Sequence, residues 1–280
     1  MAEQRKRVVK RAVVVRTERL TPAMIRVVFT GTDLAGMSEL EYTDHYIKIL
    51  FPPAGADYTW PFDPDAIRLT HPPELWSVTR TYTVRSYDAA TNELAVDFVV
   101  HGDEGLAGPW AASAEPGAEI GFFGPGGGYA PDPQAHAHLL IGDEAAIPAI
   151  AAALERVPAD VPAQVFLEVG SVSDHQALPE SEATNVTWVH RGGKPYGLAL
   201  AEAVRGADLT EGDVQVFVHG NADMVRDLRR FFFVERRCDR ERVSISGYWR
   251  TGHTEDRWQS SKRDFNEQME AEEQVALAAG

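Results

Sequence analysis

RTYTVRSYDAATNELAVDFVV, residues 80–100, sets two runs of β-forming residues on either side of the polar segment DAATN. Val, Thr, Tyr and Phe on both flanks and turn-forming residues between them predict an antiparallel hairpin. A half-buried strand accounts only loosely for the alternation of Thr81, Thr83 and Arg85 with Tyr82, Val84 and Ser86. An aromatic ring beside a hydroxyl and a guanidinium is also a set that could stack on a planar ring, bond its edge and neutralise a phosphate. A packed Tyr82 beside a solvated Arg80 is the plainer alternative.

Short strands surround this hairpin. Residues 12–30 read as two β-rich runs about Leu20-Thr21-Pro22, YIKILFP (46–52) alternates as another strand, and AEIGFFG (118–124) adds one before the breaker PGGG. The first half therefore predicts a small antiparallel barrel. The rhythm then changes: HAHLLIG, AQVFLEVG, NVTWVHR, DVQVFVHG and RVSIS read as strands, and AAIPAIAAALERV, YGLALAEAVRG and ADMVRDLRRFFFVERR as helices. Alternating strands and helices predict a parallel sheet covered by helices. The prolines of PDPQAH (131–136) mark the boundary, giving domains 1–132 and 133–280, the second with a C-terminal extension. From about Lys262 onward the tail reads either as a helix packed on the barrel or as disorder.

The chain has 280 residues, is 44% hydrophobic and 25% charged, and carries a formal net charge of −15. That charge argues against nonspecific nucleic-acid binding, which needs a basic surface. No apolar run approaches the roughly 20 residues that cross a bilayer, so a cytoplasmic protein without membrane or nucleic-acid partners is expected, acting as a monomer. Cys238, the single cysteine, excludes an internal disulfide and a thiolate-held cluster and reads as a bystander. His136 and His138 alternate along one strand without a carboxylate partner, so surface polarity is expected rather than a metal site. Basic residues at 5–7, 10 and 11 read as a solvated run, and Phe231–Phe233 as core.

Three further stretches could carry chemistry. VVHGDEGLAGPWAASA (99–114) ends a strand, passes through small residues and opens a helix, a possible pyrophosphate seat or simply a loop. IGDEAAIPAI (141–150) lies at a strand-to-helix turn, at the ligand-binding end of an open α/β sheet. Its Asp143 and Glu144 would repel a pyrophosphate; without a ligand the turn reads as an Asp N-cap with Pro148 in the first turn. GYWRTGHTEDRW (247–258) offers aromatics and Arg250 that either pack back on the protein or face a site.

In this order and spacing the four stretches resemble the siderophore-interacting protein family of flavin-dependent ferric-chelate reductases, a branch of the ferredoxin-reductase-like fold. The likeness runs from DHYIKILFP (44–52) to GYWRTG. It implies an FAD-binding barrel followed by an NADPH- or NADH-binding domain, and a ferric siderophore as substrate. The strand RTYTV implies flavin contacts from Arg80 (pyrophosphate), Tyr82 (flavin ring), Thr83 (the edge near the reactive nitrogen) and Val84. The following turn implies His101, Gly102, Ala107, Gly108 and Trp110, with Gly108 where the family has a serine. Gly142, Asp143, Glu144, Pro148 and Gly220 are implied on the nicotinamide side, Asn221 replacing the family's glutamate. Lys48 and Arg250 match two basic positions at the chelate mouth, and a third appears here as Gly126. Such a protein carries no catalytic side chain and no resident metal, because the flavin does the chemistry. The coenzyme stays open: Arg191 and Lys194 would suit a 2′-phosphate, Glu168 a free ribose diol. A general flavin reductase or oxygenase reductase component, and a non-catalytic siderophore-binding module, are the alternatives.

Overall fold

The computed structural model describes residues 8–37, 40–100 and 105–279. The chain divides into two compact units after Gly128. In the first, strands β1 (Lys10–Thr21), β2 (Met24–Thr30) and β3 (Tyr46–Phe51) precede helix α1 (Pro64–Thr70); β4 (Val78–Asp88), β5 (Glu93–Val99), helix α2 (Ala107–Ser113) and β6 (Glu119–Gly126) follow. The strands close an antiparallel barrel in the order β1-β2-β5-β4-β3-β6. Closure leaves no unpaired strand edge.

The opening stretch is the β4–β5 hairpin. Its turn is built by Asn92, which adopts φ 54°, a region that asparagine tolerates better than most residues. Asn92 accepts from Tyr87 OH at 2.9 Å and donates to Gly31 O at 2.9 Å, tying the hairpin to the end of β2. The barrel is filled by Ala12, Val14, Phe29, Ile47, Ile49, Val84, Val96, Phe98 and Phe122, with every strand contributing inward side chains. Burying each of those larger than alanine contributes about 1.5–3 kcal/mol.

In the second unit β7 (Ala137–Asp143), α3 (Ile147–Leu154), β8 (Ala163–Val169), β9 (Thr184–His190), α4 (Leu198–Gly206), β10 (Val214–Asn221), α5 (Ala222–Arg230), β11 (Val243–Trp249) and α6 (Glu255–Ala279) follow in turn. The sheet is parallel, in the order β11-β10-β7-β8-β9. β7 lies at its centre and is buried at every position. Leu139 and Ile141 face one apolar cluster with Val216, Val218 and Leu228, while Leu140 faces another with Ile150, Val165 and Phe217.

Two expectations change here. His138 is buried rather than part of a polar surface, because a central parallel strand is covered on both faces and alternation no longer separates inside from outside. His136, just before the strand, is exposed. The tail is helical from Glu255 and packs within the second unit: Trp258, Phe265 and Met269 cluster with Ala222 at the start of α5. Arg229 of α5 and Arg240 both donate to the buried Glu273 of α6, at 3.2 Å and 2.6 Å to Oε2. Phe231–Phe233 are buried in a π-helical turn that extends α5, and Cys238 packs against the same cluster. Burial pushes the Cys238 thiol up, away from the reactive thiolate.

Candidate functional site

In the barrel, β4 pairs with β3 so that Tyr82 lies opposite Ile47, Arg80 opposite Ile49, Thr81 opposite Lys48 and Thr83 opposite Tyr46. Residues opposite one another share a face. Tyr82 and Arg80 thus belong to the side of β4 that points at the core, whereas Thr81 and Thr83 share the other side with Lys48 and Tyr46. The Tyr82 ring is half-buried with its centroid 4.3 Å from that of Phe98. Trp110, in the first turns of α2, lies 5.8 Å from the same ring and stacks at 6.2 Å on Phe29. The RTYT strand and helix α2 are therefore brought together over Phe98.

Arg80 Nη1 donates to Thr79 O at 2.8 Å, laying the guanidinium along the strand. Val84 is a core residue, and its N–H donates to His45 O at 2.7 Å. Ala107 and Gly108 are buried in the first turn of α2, which has no side-chain cap. His101 and Gly102 lie outside the described residues.

Gly126 has a definite reason to be glycine. A Cβ there would lie 2.7 Å from Tyr46 Cζ, so the Tyr46 ring occupies the space that a side chain at 126 would need. The turn is held from below as well. Tyr42 N–H donates to His45 Nε2 at 3.0 Å, which leaves the proton on Nδ1 to donate to Gly126 O at 2.9 Å, and Gly128 N–H donates to Asp44 Oδ1 at 2.8 Å. Tyr46, 37% exposed, was missed by sequence reasoning although strand alternation places it on the face of Lys48.

In the second unit, Asp143 ends β7 fully buried and gathers three loops. It accepts from Asn221 N–H at 2.8 Å, Trp249 Nε1–H at 2.8 Å and Ala145 N–H at 3.0 Å. A Cβ at Gly220, whose φ is 140°, would lie 2.7 Å from Asp143 Cγ, so glycine is needed for that approach. Burial, followed by the Glu144 charge, raises the Asp143 carboxyl to about 7 against the pull of its three donors. Asn221, in place of the family's glutamate, caps α5 by accepting from Asp223 N–H at 2.9 Å, and it donates to Thr251 Oγ1 at 3.0 Å. Gly142 lets α3 approach: a Cβ there would meet Ala146 Cβ at 2.5 Å. Pro148 sits in the first turn of α3, where a missing N–H costs nothing.

Arg191 Nη2 donates to both carboxylate oxygens of Glu144, at 2.7 and 2.9 Å. Arg191 Nε also donates to Glu168 Oε1 at 3.2 Å, and the guanidinium lies 3.9 Å over the Tyr196 ring. Glu168 is wholly buried, and its oxygens accept from Gly197 N–H at 2.8 Å and Leu200 N–H at 3.2 Å. It closes the start of α4 rather than presenting itself to a ribose, because those amides have no nearer acceptor. Arg250 is ion-paired with Asp223 at 3.3 Å and lies 4.7 Å over Phe265. His219 is buried between Tyr248 OH and Ser244 Oγ, and burial, helped by Lys262, lowers it to about 3, so it stays neutral. Among the described residues no group of three or more His, Cys, Asp or Glu could hold a metal ion.

This order of elements matches known proteins over nearly the whole chain. Residues 13–129 match the Siderophore-interacting FAD-binding domain, and residues 135–252 match the Siderophore-interacting protein family. The chain belongs to the siderophore-interacting protein family. An uncharacterized protein of Mycobacterium tuberculosis is 43% identical, with 91% of this chain and 94% of that protein covered. The ferric vibriobactin reductase ViuB of Vibrio cholerae is 33% identical over 89% of this chain and 92% of its own length. A siderophore utilization protein from T. fusca, of known crystal structure, matches with TM-score 0.77 and 33% identity, covering 89% of this chain and 95% of that one. The fold is ferredoxin-reductase-like, a likeness that extends to ferredoxin reductases at TM-score 0.62 and 15% or less identity.

Proposed function

We propose that the protein is a cytoplasmic, NAD(P)H-dependent ferric-siderophore reductase that holds FAD in its barrel unit. The observation that carries this reading is the convergence of Tyr82 and Trp110 on Phe98, with Thr81 and Thr83 sharing a face with Lys48 on the neighbouring strand. On the core side of β4 these residues fit a flavin, with a half-buried aromatic pair to lie against a ring system and the Arg80 guanidinium for a pyrophosphate, while the Thr81 and Thr83 hydroxyls lie on the opposite side with Lys48. Bound there, FAD would supply the step between a two-electron hydride donor and a one-electron ferric acceptor. Each coenzyme oxidised reduces two ferric ions and leaves one proton.

The chain's own task is to bind and orient. Lys48, on the same face as Thr83, would draw an anionic chelate, raising encounter rate more than affinity. Gly142, Asp143, Glu144, Pro148 and Gly220 shape the carboxyl edge of the parallel sheet, where nucleotides bind in folds of this kind. Reduction frees the iron because hard anionic oxygens hold ferrous ion far less firmly than ferric. Purified protein supplied with FAD, reduced nicotinamide and a ferric hydroxamate or catecholate should turn over a ferrous trap. No ferrous signal with either coenzyme rejects the proposal.

A general flavin reductase is the second reading. It draws support from Gly126, where a basic position is replaced and covered by Tyr46, and from Arg250, whose charge is met by Asp223. Lys48→Ala separates the two: a selective loss with ferric siderophores supports the first, and an equal loss with small artificial acceptors supports the second.

A further inference from the structure

We propose that this protein uses NADH in preference to NADPH, and that the cluster of Glu144, Glu168, Asp174 and Arg191 sets the preference by refusing a 2′-phosphate. The inference rests on the reading of the second unit as a nicotinamide-nucleotide domain. In a doubly wound sheet the coenzyme crosses the carboxyl ends of the strands where the order reverses, and the adenosine ribose reaches the end of the strand after the first. Here the chain runs from β7 outward to β8 and β9, then returns to place β10 on the other side of β7. The reversal lies between β7 and β10, and the ribose position falls at the end of β8, at Gly170–Asp174.

Charged side chains line that position. A Cβ at Gly170 would lie 3.0 Å from Asp174 Oδ2 and 3.9 Å from Arg191 Nη1, so both groups border the same small space. Asp174 is held there by Ser171, whose N–H and Oγ–H both donate to Oδ2 at 3.0 Å. Arg191 is the cation that a 2′-phosphate would require, yet its Nη2 is spent on both oxygens of Glu144 and its Nε on Glu168. Two carboxylates thus pair with one guanidinium, and a third, Asp174, borders the same space at Gly170. Arg191 is also clamped over Tyr196 and its side chain is only 15% exposed, so it cannot swing to a new partner without stranding two nearly buried carboxylates. Lys194, the other cation after β9, is paired with Glu202 on the surface. An arriving phosphate dianion therefore meets net negative charge, whereas a ribose diol brings hydroxyl donors, which is what the Asp174 carboxylate accepts.

Titration of the whole protein with 5′-AMP and with 2′-phosphoadenosine 5′-phosphate, followed by calorimetry, reads this directly, without flavin turnover. The expected result is at least about tenfold tighter binding of 5′-AMP, because a dianion beside unbalanced carboxylates at such distances costs more than a factor of ten even at a high effective dielectric. Asp174→Asn, a partly exposed site that does not threaten folding, should weaken 5′-AMP and leave the 2′-phosphorylated nucleotide unchanged or tighter. Glu144→Gln should release one half of the Arg191 clamp and narrow the ratio. Tighter binding of the 2′-phosphorylated nucleotide by the unaltered protein overturns the inference while leaving the reductase reading intact. Binding of neither, together with no ferric reduction by NADH or NADPH, overturns both.

Discussion

Asp143→Asn should change stability in a way that depends on pH, and in a direction opposite to that of an ordinary surface carboxylate. The group is fully buried and its pKa is raised from 3.8 to about 7, chiefly by burial and then by the Glu144 charge. Its folded value exceeds its unfolded value, so between these pH values the native state holds the extra proton. Stability therefore falls as pH rises through the window. A gap of about three units corresponds to roughly 4 kcal/mol in total, of which about 2–3 kcal/mol lies between pH 5 and pH 8. Asparagine cannot titrate, and it presents an amide NH2 where three N–H donors converge, so the variant is less stable throughout. Urea unfolding of both proteins at intervals from pH 5 to pH 8 isolates the effect, because every other titrating group cancels in the difference. The deficit of the variant should be greatest near pH 5 and shrink by about 2–3 kcal/mol by pH 8. A constant deficit, or one that grows with pH, would refute the raised pKa and with it the account of Asp143 as a carboxylate ionised at a cost.

Glu168→Ala should destabilise by about 2–4 kcal/mol in chemical denaturation, since it leaves two amides at the start of α4 without an acceptor and Arg191 with Glu144 alone, while Glu168→Gln, which keeps an acceptor, should cost less. Gly126→Ala should cost about 1 kcal/mol or less because the new methyl meets only the tip of the exposed Tyr46 ring, which must turn aside, and adding Tyr46→Ala should recover that loss in thermal unfolding. Glu273→Ala leaves the buried Arg229 with only the longer, exposed pairing to Glu270 at 3.5 Å and should lower the melting temperature clearly, whereas Glu272→Ala, which removes an exposed pair with Arg226, should leave it almost unchanged.

Much of the architecture was legible because it depends on local periodicity. Alternating β-formers around DAATN specify the β4–β5 hairpin, and the shift from period two to helical spacing after PDPQAH marks the parallel unit. Phe231–Phe233 as core follows from the same local rules. The tail is different. α6 is polar over most of its length and is held by Trp258, Phe265 and Glu273 against partners 11 to 44 residues earlier in the chain, so no window around it reveals whether or where it packs.

The same division runs through the candidate site. The sequence by itself determined which residue types are present and in what order: RTYT before a glycine-containing turn, GDEAAIPAI at a strand end, YWR after the last strand. Only the tertiary structure decided which of their charges are available. Arg191 and Glu168 read as alternative ribose ligands, but 23 residues apart they close on each other and on Glu144, and Glu168 is consumed by the amides of α4. Gly126 read as a missing cation until Tyr46, 80 positions earlier, was found lying across it. Hydrogen bonds and ion pairs form between groups that the fold brings within about 3 Å, whatever their separation along the chain. A residue's chemistry is local, but its partners are not.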